Sequence, residues 1–373
     1  MAKKYTWCFL LVLMSIAIVA AHIGETAVPA VFIFGDSTMD VGTNNFLPVS
    51  QEIKADFYYN GIDYPFSEPT GRFSNGYNTA DRIVKLLGYK KSPPSFFALL
   101  NDSPTFKRNI LEGVNFASGG SGILNTTGLV YNNFMSLGEQ INLFATVLGN
   151  ITELCGPAAA ATLLSKSLFI VSSGSNDILE QQRSRAPLSP DFLDNLQSTY
   201  ADHLRNERSK DTLKFIFMQS LYNLGARKFA IITIPPIGCC PVERSYNGSE
   251  CLHGANEFAR QFYNATETLL QQLSSQLSAM NYSIGDSFGL TLDIMGNPLA
   301  FGFKEIRKAC CGDATTMCNQ TASLCQNRDE YLFWDRFHPT QKTAVLAALT
   351  FFGGSDRFVK PVNFSTLAAI NIV

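Results

Sequence analysis

The sequence is poor in net charge, with 29 lysines and arginines against 31 aspartates and glutamates in 373 residues. It has no basic run able to neutralise a phosphate backbone, so nucleic acid is not an expected partner. Low-complexity tracts, long charge runs, linkers and internal repeats are missing, which favours one large folded domain over a string of small ones. Histidine is scarce, with four in the chain. Beyond the N-terminus, no apolar run reaches the roughly 20 residues that a membrane-spanning helix needs. The zinc-peptidase pattern His-Glu-x-x-His is absent, and no Gly-Lys-Ser/Thr follows a glycine-rich loop to hold phosphate.

What is present begins with an export signal. Lys3 and Lys4 precede an apolar run from Trp7 to Ala21 that ends in small residues. This is the pattern of a cleaved signal peptide over residues 1–21, with the cut expected between about 20 and 27. Its removal leaves 27 basic against 31 acidic side chains, since Lys3 and Lys4 leave with it. The expected layout is then one domain over 28–360 and a tail over 361–373.

Of the nine cysteines, Cys8 lies in the signal, leaving Cys155, Cys239, Cys240, Cys251, Cys310, Cys311, Cys318 and Cys325. An even number in an exported chain implies disulfides, although the sequence does not fix the pairing. Adjacent cysteines without a histidine at ligand spacing are poor zinc chelators, so no metal is expected. Asn-x-Ser/Thr occurs at Asn101, Asn125, Asn150, Asn247, Asn264, Asn281, Asn319 and Asn363, which in an exported chain implies a glycoprotein.

Continuous apolar runs at Val31–Phe34, Ser167–Ser172 and Phe229–Ile234 are expected strands. Helical stretches are expected at Asn78–Leu87, Ser136–Leu148, Asp191–Leu204 and Asp211–Leu224. The alternation implies a parallel sheet covered on both faces by helices. Such sheets bind ligands beyond the carboxyl ends of their strands. Ser37, in VFIFGDSTMDVGTNN, stands just past the end of the first strand. Asn176, in Gly174-Ser175-Asn176-Asp177, stands just past the end of the second. Local sequence alone makes each a turn residue, yet both fall on the same sheet edge.

A serine nucleophile needs a base. His22 falls at the signal boundary, His203 in the charged helical stretch YADHLRNERSK, and His253 beside Cys251. His338, in FWDRFHPT, has Asp335 three residues before it, the spacing that brings two side chains together on one helical turn. A carboxylate accepting the Nδ1 proton leaves Nε2 free as a base. The glycine-rich segment GVNFASGGSGI, Gly113 to Ile123, can bring backbone N–H groups close to a ligand. Asn176 can add a side-chain donor for an oxyanion.

Taken in order, these blocks resemble the plant GDSL esterase/lipase family of the SGNH hydrolases. The blocks are FGDSTMDVGTNN, PTGRFSNG (Pro69 to Gly76), VNFASGGSGI, GSND, IPPIGCCP (Ile234 to Pro241), NPLAFGF, ACCG and FWDRFHPT. The likeness extends from Val31 to about Asp356. It implies a flavodoxin-like three-layer α/β/α sandwich with a central parallel sheet. It implies further that Ser37 is the nucleophile, His338 the base and Asp335 its orienting acid. The oxyanion donors it implies are Ser37, Asn176 and Gly119, with Gly120 as the competing alignment for the last.

The resulting expectation is a secreted, extracellular serine esterase or lipase (cell wall or vacuole) acting on a small-molecule, lipid or cell-wall acyl ester without a cofactor. A catalytically silent glycoprotein that binds such esters, or an acyltransferase with the same residues, uses the same pattern. Thr43 and Ser67-Glu68 depart from the family's usual sequence and are expected to bear on the cleft entrance.

Overall fold

The computed structural model describes residues 27–132, 134–202 and 217–372. The signal segment, His22, His203, the end of the expected helix Asp191–Leu204 and the start of the expected helix Asp211–Leu224 lie outside them. In chain order the main elements are β1 (Val31–Gly35), α1 (Thr79–Leu86), β2 (Gly113–Asn115), α2 (Leu137–Cys155), α3 (Pro157–Lys166) and β3 (Leu168–Ser172). They continue with α4 (Ser175–Arg183), α5 (Pro190–Asp202), α6 (Phe217–Asn223), β4 (Lys228–Ile232), α7 (His253–Gln276) and β5 (Asn281–Gly285). The last are α8 (Ser287–Gly296), β6 (Glu305–Ala309), β7 (Tyr331–Phe333), α9 (Gln341–Gly353), β8 (Val359–Lys360) and α10 (Phe364–Ala369).

The main sheet has the order β2-β1-β3-β4-β5-β8. Its first five strands are parallel, and β8 closes the edge antiparallel to β5. The parallel order is that of flavodoxin-like sheets. Every residue of β1, β3 and β4 is buried, because helices cover both faces. On one face, Phe144 of α2 makes edge contacts with Phe32 and Phe34 of β1 and Phe169 of β3. On the other, α1, α9 and α10 pack together, with Phe351 against Phe364.

The expected strands are present within two residues at each end. The third stops at Ile232, where Thr233 turns its N–H to the Gly285 carbonyl. Helix α2 begins where expected, because Ser136 and Glu139 form a reciprocal capping box. It runs on to Cys155, past the expected end at Leu148. Strands β2 and β5 were not anticipated. β2 lies inside the segment read as a glycine-rich loop, and β5 starts with half-buried polar residues that dilute its apolar pattern.

The expected tail is also corrected. Residues 361–372 include α10, whose Phe364, Leu367 and Ala368 occupy one buried stripe. The buried Lys228 ammonium donates to the Ala368 carbonyl and fastens that helix to the sheet.

Among the described residues three disulfides form: Cys239–Cys251, Cys310–Cys325 and Cys311–Cys318. The neighbours Cys310 and Cys311 take different partners, which folds the 310–325 loop into a compact unit beside buried Trp334. Cys155 and Cys240 are unpaired among the described residues, so the even count does not mean complete pairing there. Among the sequons, Asn101, Asn125, Asn247, Asn264 and Asn319 are exposed, while Asn150, Asn281 and Asn363 are half-buried. Asn363 is engaged as the cap of α10, accepting from Thr366 N–H and donating to the Gly354 carbonyl.

Candidate active site

Ser37 sits in a turn that leaves the end of β1. Gly35 has φ +137°, and a Cβ there would fall 1.9 Å from the Ser172 carbonyl oxygen, so glycine is required for β1 and β3 to close at this edge. The side chain of Gln140, from α2, brackets the same glycine: it accepts from Gly35 N–H and donates to Gly35 O, both at 2.9 Å. Asp36 then accepts from the N–H and hydroxyl of Thr38, at 2.9 and 2.7 Å. Burial raises the Asp36 carboxyl above its ordinary value, opposed by these Thr38 bonds. Ser37 is held between two fixed neighbours.

His338 reaches Ser37 from the loop after β7. Its Nε2 lies 2.8 Å from Ser37 Oγ, and its Nδ1 lies 2.9 and 2.8 Å from the two Asp335 oxygens. The Asp335–His338 spacing works differently from the expected helical turn. The segment is a bend in which Asp335 Oδ1 also accepts from the Phe337 and His338 N–H groups, each at 2.8 Å. Burial alone would raise Asp335, but His338 and these bonds hold it below the usual carboxylate range. An ionised Asp335 can only accept, so Nδ1 carries the proton and Nε2 accepts from the Ser37 hydroxyl. Trp334 anchors the loop: its N–H donates to His338 O, and its indole Nε1–H donates to Asn60.

The donor side is built by two buried aspartates. Asp40 accepts from the N–H groups of Gly42, Thr43 and Gly119, at 2.8, 2.7 and 3.0 Å. Asp177, in the first turn of α4, accepts from Ile123 N–H, Leu124 N–H and the Thr127 hydroxyl. Burial pushes both carboxyls up to about 6 despite these bonds.

Together they clamp the glycine-rich segment at Gly119 and at Ile123. The clamp corrects the expectation for Gly119, whose N–H points to Asp40 and is not offered to the cavity. Gly120, at φ +84°, is the glycine that lines the cavity with Ser37, Asn176 and His338. Asn176 donates one amide hydrogen to the Ser121 carbonyl at 2.8 Å, and its side chain carries a second.

Neither Thr43 nor Ser67-Glu68 lines this cavity, contrary to expectation. Thr43 is buried under Asp40, and Ser67-Glu68 lie exposed on the surface. The PTGRFSNG block buttresses the site: Arg72 makes a buried bidentate pair with Asp81, and the Phe73 ring lies 4.9 Å from the imidazole of His338.

A second Gly-Asp-Ser, Gly285 to Ser287, continues to Gly289 and so carries the Gly-x-Ser-x-Gly spacing of a strand–helix elbow. It joins β5 to α8. Neither His253 nor His338, the described histidines, is hydrogen-bonded to Ser287, whose N–H donates to Thr233 Oγ1. Gln140, Asp40, Asp177 and Phe73 were not singled out from sequence. Asp40 and Asp177 stand inside quoted blocks, where a carboxylate amid buried residues is the available signal.

The family profile described as GDSL-like Lipase/Acylhydrolase matches residues 31–351. The chain belongs to this family. GDSL esterase/lipase At4g16230 of Arabidopsis thaliana is 33% identical over 382 residues, covering 98% of each chain. GDSL esterase/lipase At5g55050 of the same plant is 35% identical over 92% of this chain and 90% of its own length. GDSL esterase/lipase LTL1, again from Arabidopsis thaliana, is 35% identical over 90% of each. At family level this GDSL protein is thus an ester hydrolase of the SGNH type. Among its described residues no helix is long and apolar enough to cross a membrane.

Proposed function

We propose that this GDSL protein is a secreted serine ester hydrolase in which Ser37, His338 and Asp335 act as a triad. The observation that carries the reading is the unbroken chain of hydrogen bonds from Asp335 through His338 to Ser37 at the cavity wall. His338 Nε2 takes the Ser37 hydroxyl proton as Oγ attacks the ester carbonyl carbon. The negative charge that develops on the carbonyl oxygen is stabilised by the N–H groups of Ser37 and Gly120 and by the Asn176 amide. His338 then returns the proton to the departing alcohol, leaving Ser37 acylated. Water attacks the acyl-enzyme as His338 takes its proton, and His338 passes that proton to Ser37 Oγ as the acid leaves.

Export is supported by the N-terminal signal pattern and the three disulfides. The exposed sequons at Asn101, Asn125, Asn247, Asn264 and Asn319 are the proposed glycan sites, and the extracellular space or cell wall is the proposed destination. To test the activity, the secreted protein is assayed on p-nitrophenyl acetate and butyrate alongside Ser37→Ala. The wild type should turn over both, and a Ser37→Ala variant with the same rate would refute the role of Ser37.

A further inference from the structure

The cavity that contains Ser37 has two unlike arms. One opens to solvent past Glu52, Tyr131, Arg183 and Arg336. Glu52 and Arg183 are exposed, and Arg183 donates to the Tyr131 hydroxyl at 2.8 Å. The other runs inward between α8 and α9. Its walls are Ile232 of β4, Leu290 and Ile294 of α8, and Ala344, Ala347 and Phe351 of α9. Ile232, Leu290, Ile294, Ala344 and Phe351 are at most 6% exposed. Two of the hydroxyls on this arm are turned away from any ligand: Thr343 donates to the Leu332 carbonyl and Thr233 to the Gly285 carbonyl; Ser287 and Thr291 of α8 also line it. The wall is therefore mostly apolar.

From this asymmetry, and resting on the esterase reading above, we infer that the inward arm holds the acyl chain of the ester and the charged mouth holds its alcohol. The two halves of the reaction impose different needs. The acyl carbon stays bonded to Ser37 Oγ from the first attack until water arrives, so an enclosed arm serves it. The alcohol must leave after its C–O bond breaks, carrying the proton from His338, and water must then enter by the same route. A closed arm cannot serve that exchange, and an open polar mouth can.

The arm also sets a size. Ala344, Ala347 and Phe351 follow helical spacing, and from Thr343 to Phe351 the wall extends about 12 Å along the α9 axis. An unbranched medium-chain acyl group fits that length. Each methylene brought into the arm should raise kcat/KM roughly fourfold until the arm is full.

Two substitutions narrow the arm from opposite walls at half-buried positions, Ala347→Phe on α9 and Thr291→Phe on α8. For the wild type, the kcat/KM ratio of p-nitrophenyl octanoate to p-nitrophenyl acetate should reach about 10³, and in each folded variant it should fall by roughly tenfold or more. The corresponding ratio of octyl acetate to methyl acetate, which varies the alcohol, should change by less than about twofold. Circular dichroism confirms folding of each variant. Acyl ratios that match wild type in both folded variants overturn the assignment, and so does a fall confined to the octyl acetate ratio, which would put the alcohol in the arm. A wild type that hydrolyses none of these esters refutes the esterase reading itself.

Discussion

Ser37 Oγ and His338 Nε2 stand 2.8 Å apart although 301 residues separate them in the chain. Each is held by its own local device. Ser37 is fixed by the glycine-dependent close approach of β1 to β3 and by the Gln140 bracket. His338 is fixed by the Asp335 turn and the Trp334 anchor. The end of β1 lies on the carboxyl edge of the main sheet, and the loop after β7, a strand paired with β6 in a separate two-stranded sheet, brings His338 to that edge.

Asp335 both orients and charges this arrangement. Asp335→Asn keeps a carbonyl for the backbone N–H groups of Phe337 and His338 but loses the anion facing Nδ1. The kcat on p-nitrophenyl acetate should fall about 10³–10⁴-fold, with the melting temperature nearly unchanged. A loss of less than about tenfold would contradict the orienting role.

Asn176 should act on the transition state more than on substrate binding. Asn176→Ala should lower kcat by about 10²–10³ while KM changes little, as steady-state kinetics on the same ester would measure. A change confined to KM would make Asn176 a substrate-binding group and not an oxyanion donor.

Arg72 and Asp81 lie in a buried pair whose side chains are 8% and 4% exposed. Asp81 also caps α1 by accepting from Asn78 N–H, and it takes the Ser92 hydroxyl. Arg72→Ala leaves that carboxylate buried without its cation and should cost about 3–5 kcal/mol in urea unfolding. A cost below about 1 kcal/mol would show that water reaches the pair.

Asp40 and Asp177 give a pH dependence of definite sign. Burial raises each from an ordinary value near 3.8 to about 6, so the folded protein binds these protons more tightly than the unfolded chain. Their contribution favours folding at low pH and is lost as pH rises through about 6, by up to roughly 3 kcal/mol each. Asp335 has the opposite sign, because its lowered value contributes stability that is lost as pH falls. Calorimetry between pH 4 and 7 should therefore show a more positive pH slope of the melting temperature in Asp177→Asn than in wild type. Identical slopes would mean that Asp177 titrates alike in both states.

The parts of the site legible in the sequence are those set by short-range pattern. A buried strand ending in Gly-Asp-Ser places Ser37 at the edge, and the Asp335–His338 spacing permits contact even though a bend replaces the helical turn. What the sequence hides depends on tertiary partners. The choice between Gly119 and Gly120 turns on which amide Asp40 claims from 79 residues away. Gln140 reaches Gly35 across 105 residues, with no local signature of that role. Likewise, the split of Cys310 and Cys311 between Cys325 and Cys318 follows from loop geometry, which spacing alone does not specify. In the sequence α10 reads as a tail because its apolar stripe is short, and its docking depends on Phe351, a tertiary partner of Phe364.

The most direct test of the account is to map the adduct of a fluorophosphonate, which phosphonylates an activated serine. Wild type should carry one adduct, on the peptide containing Ser37, and His338→Ala should lose it. An adduct on Ser287, the serine of the second Gly-Asp-Ser, or undiminished labelling of Ser37 in His338→Ala, would contradict it.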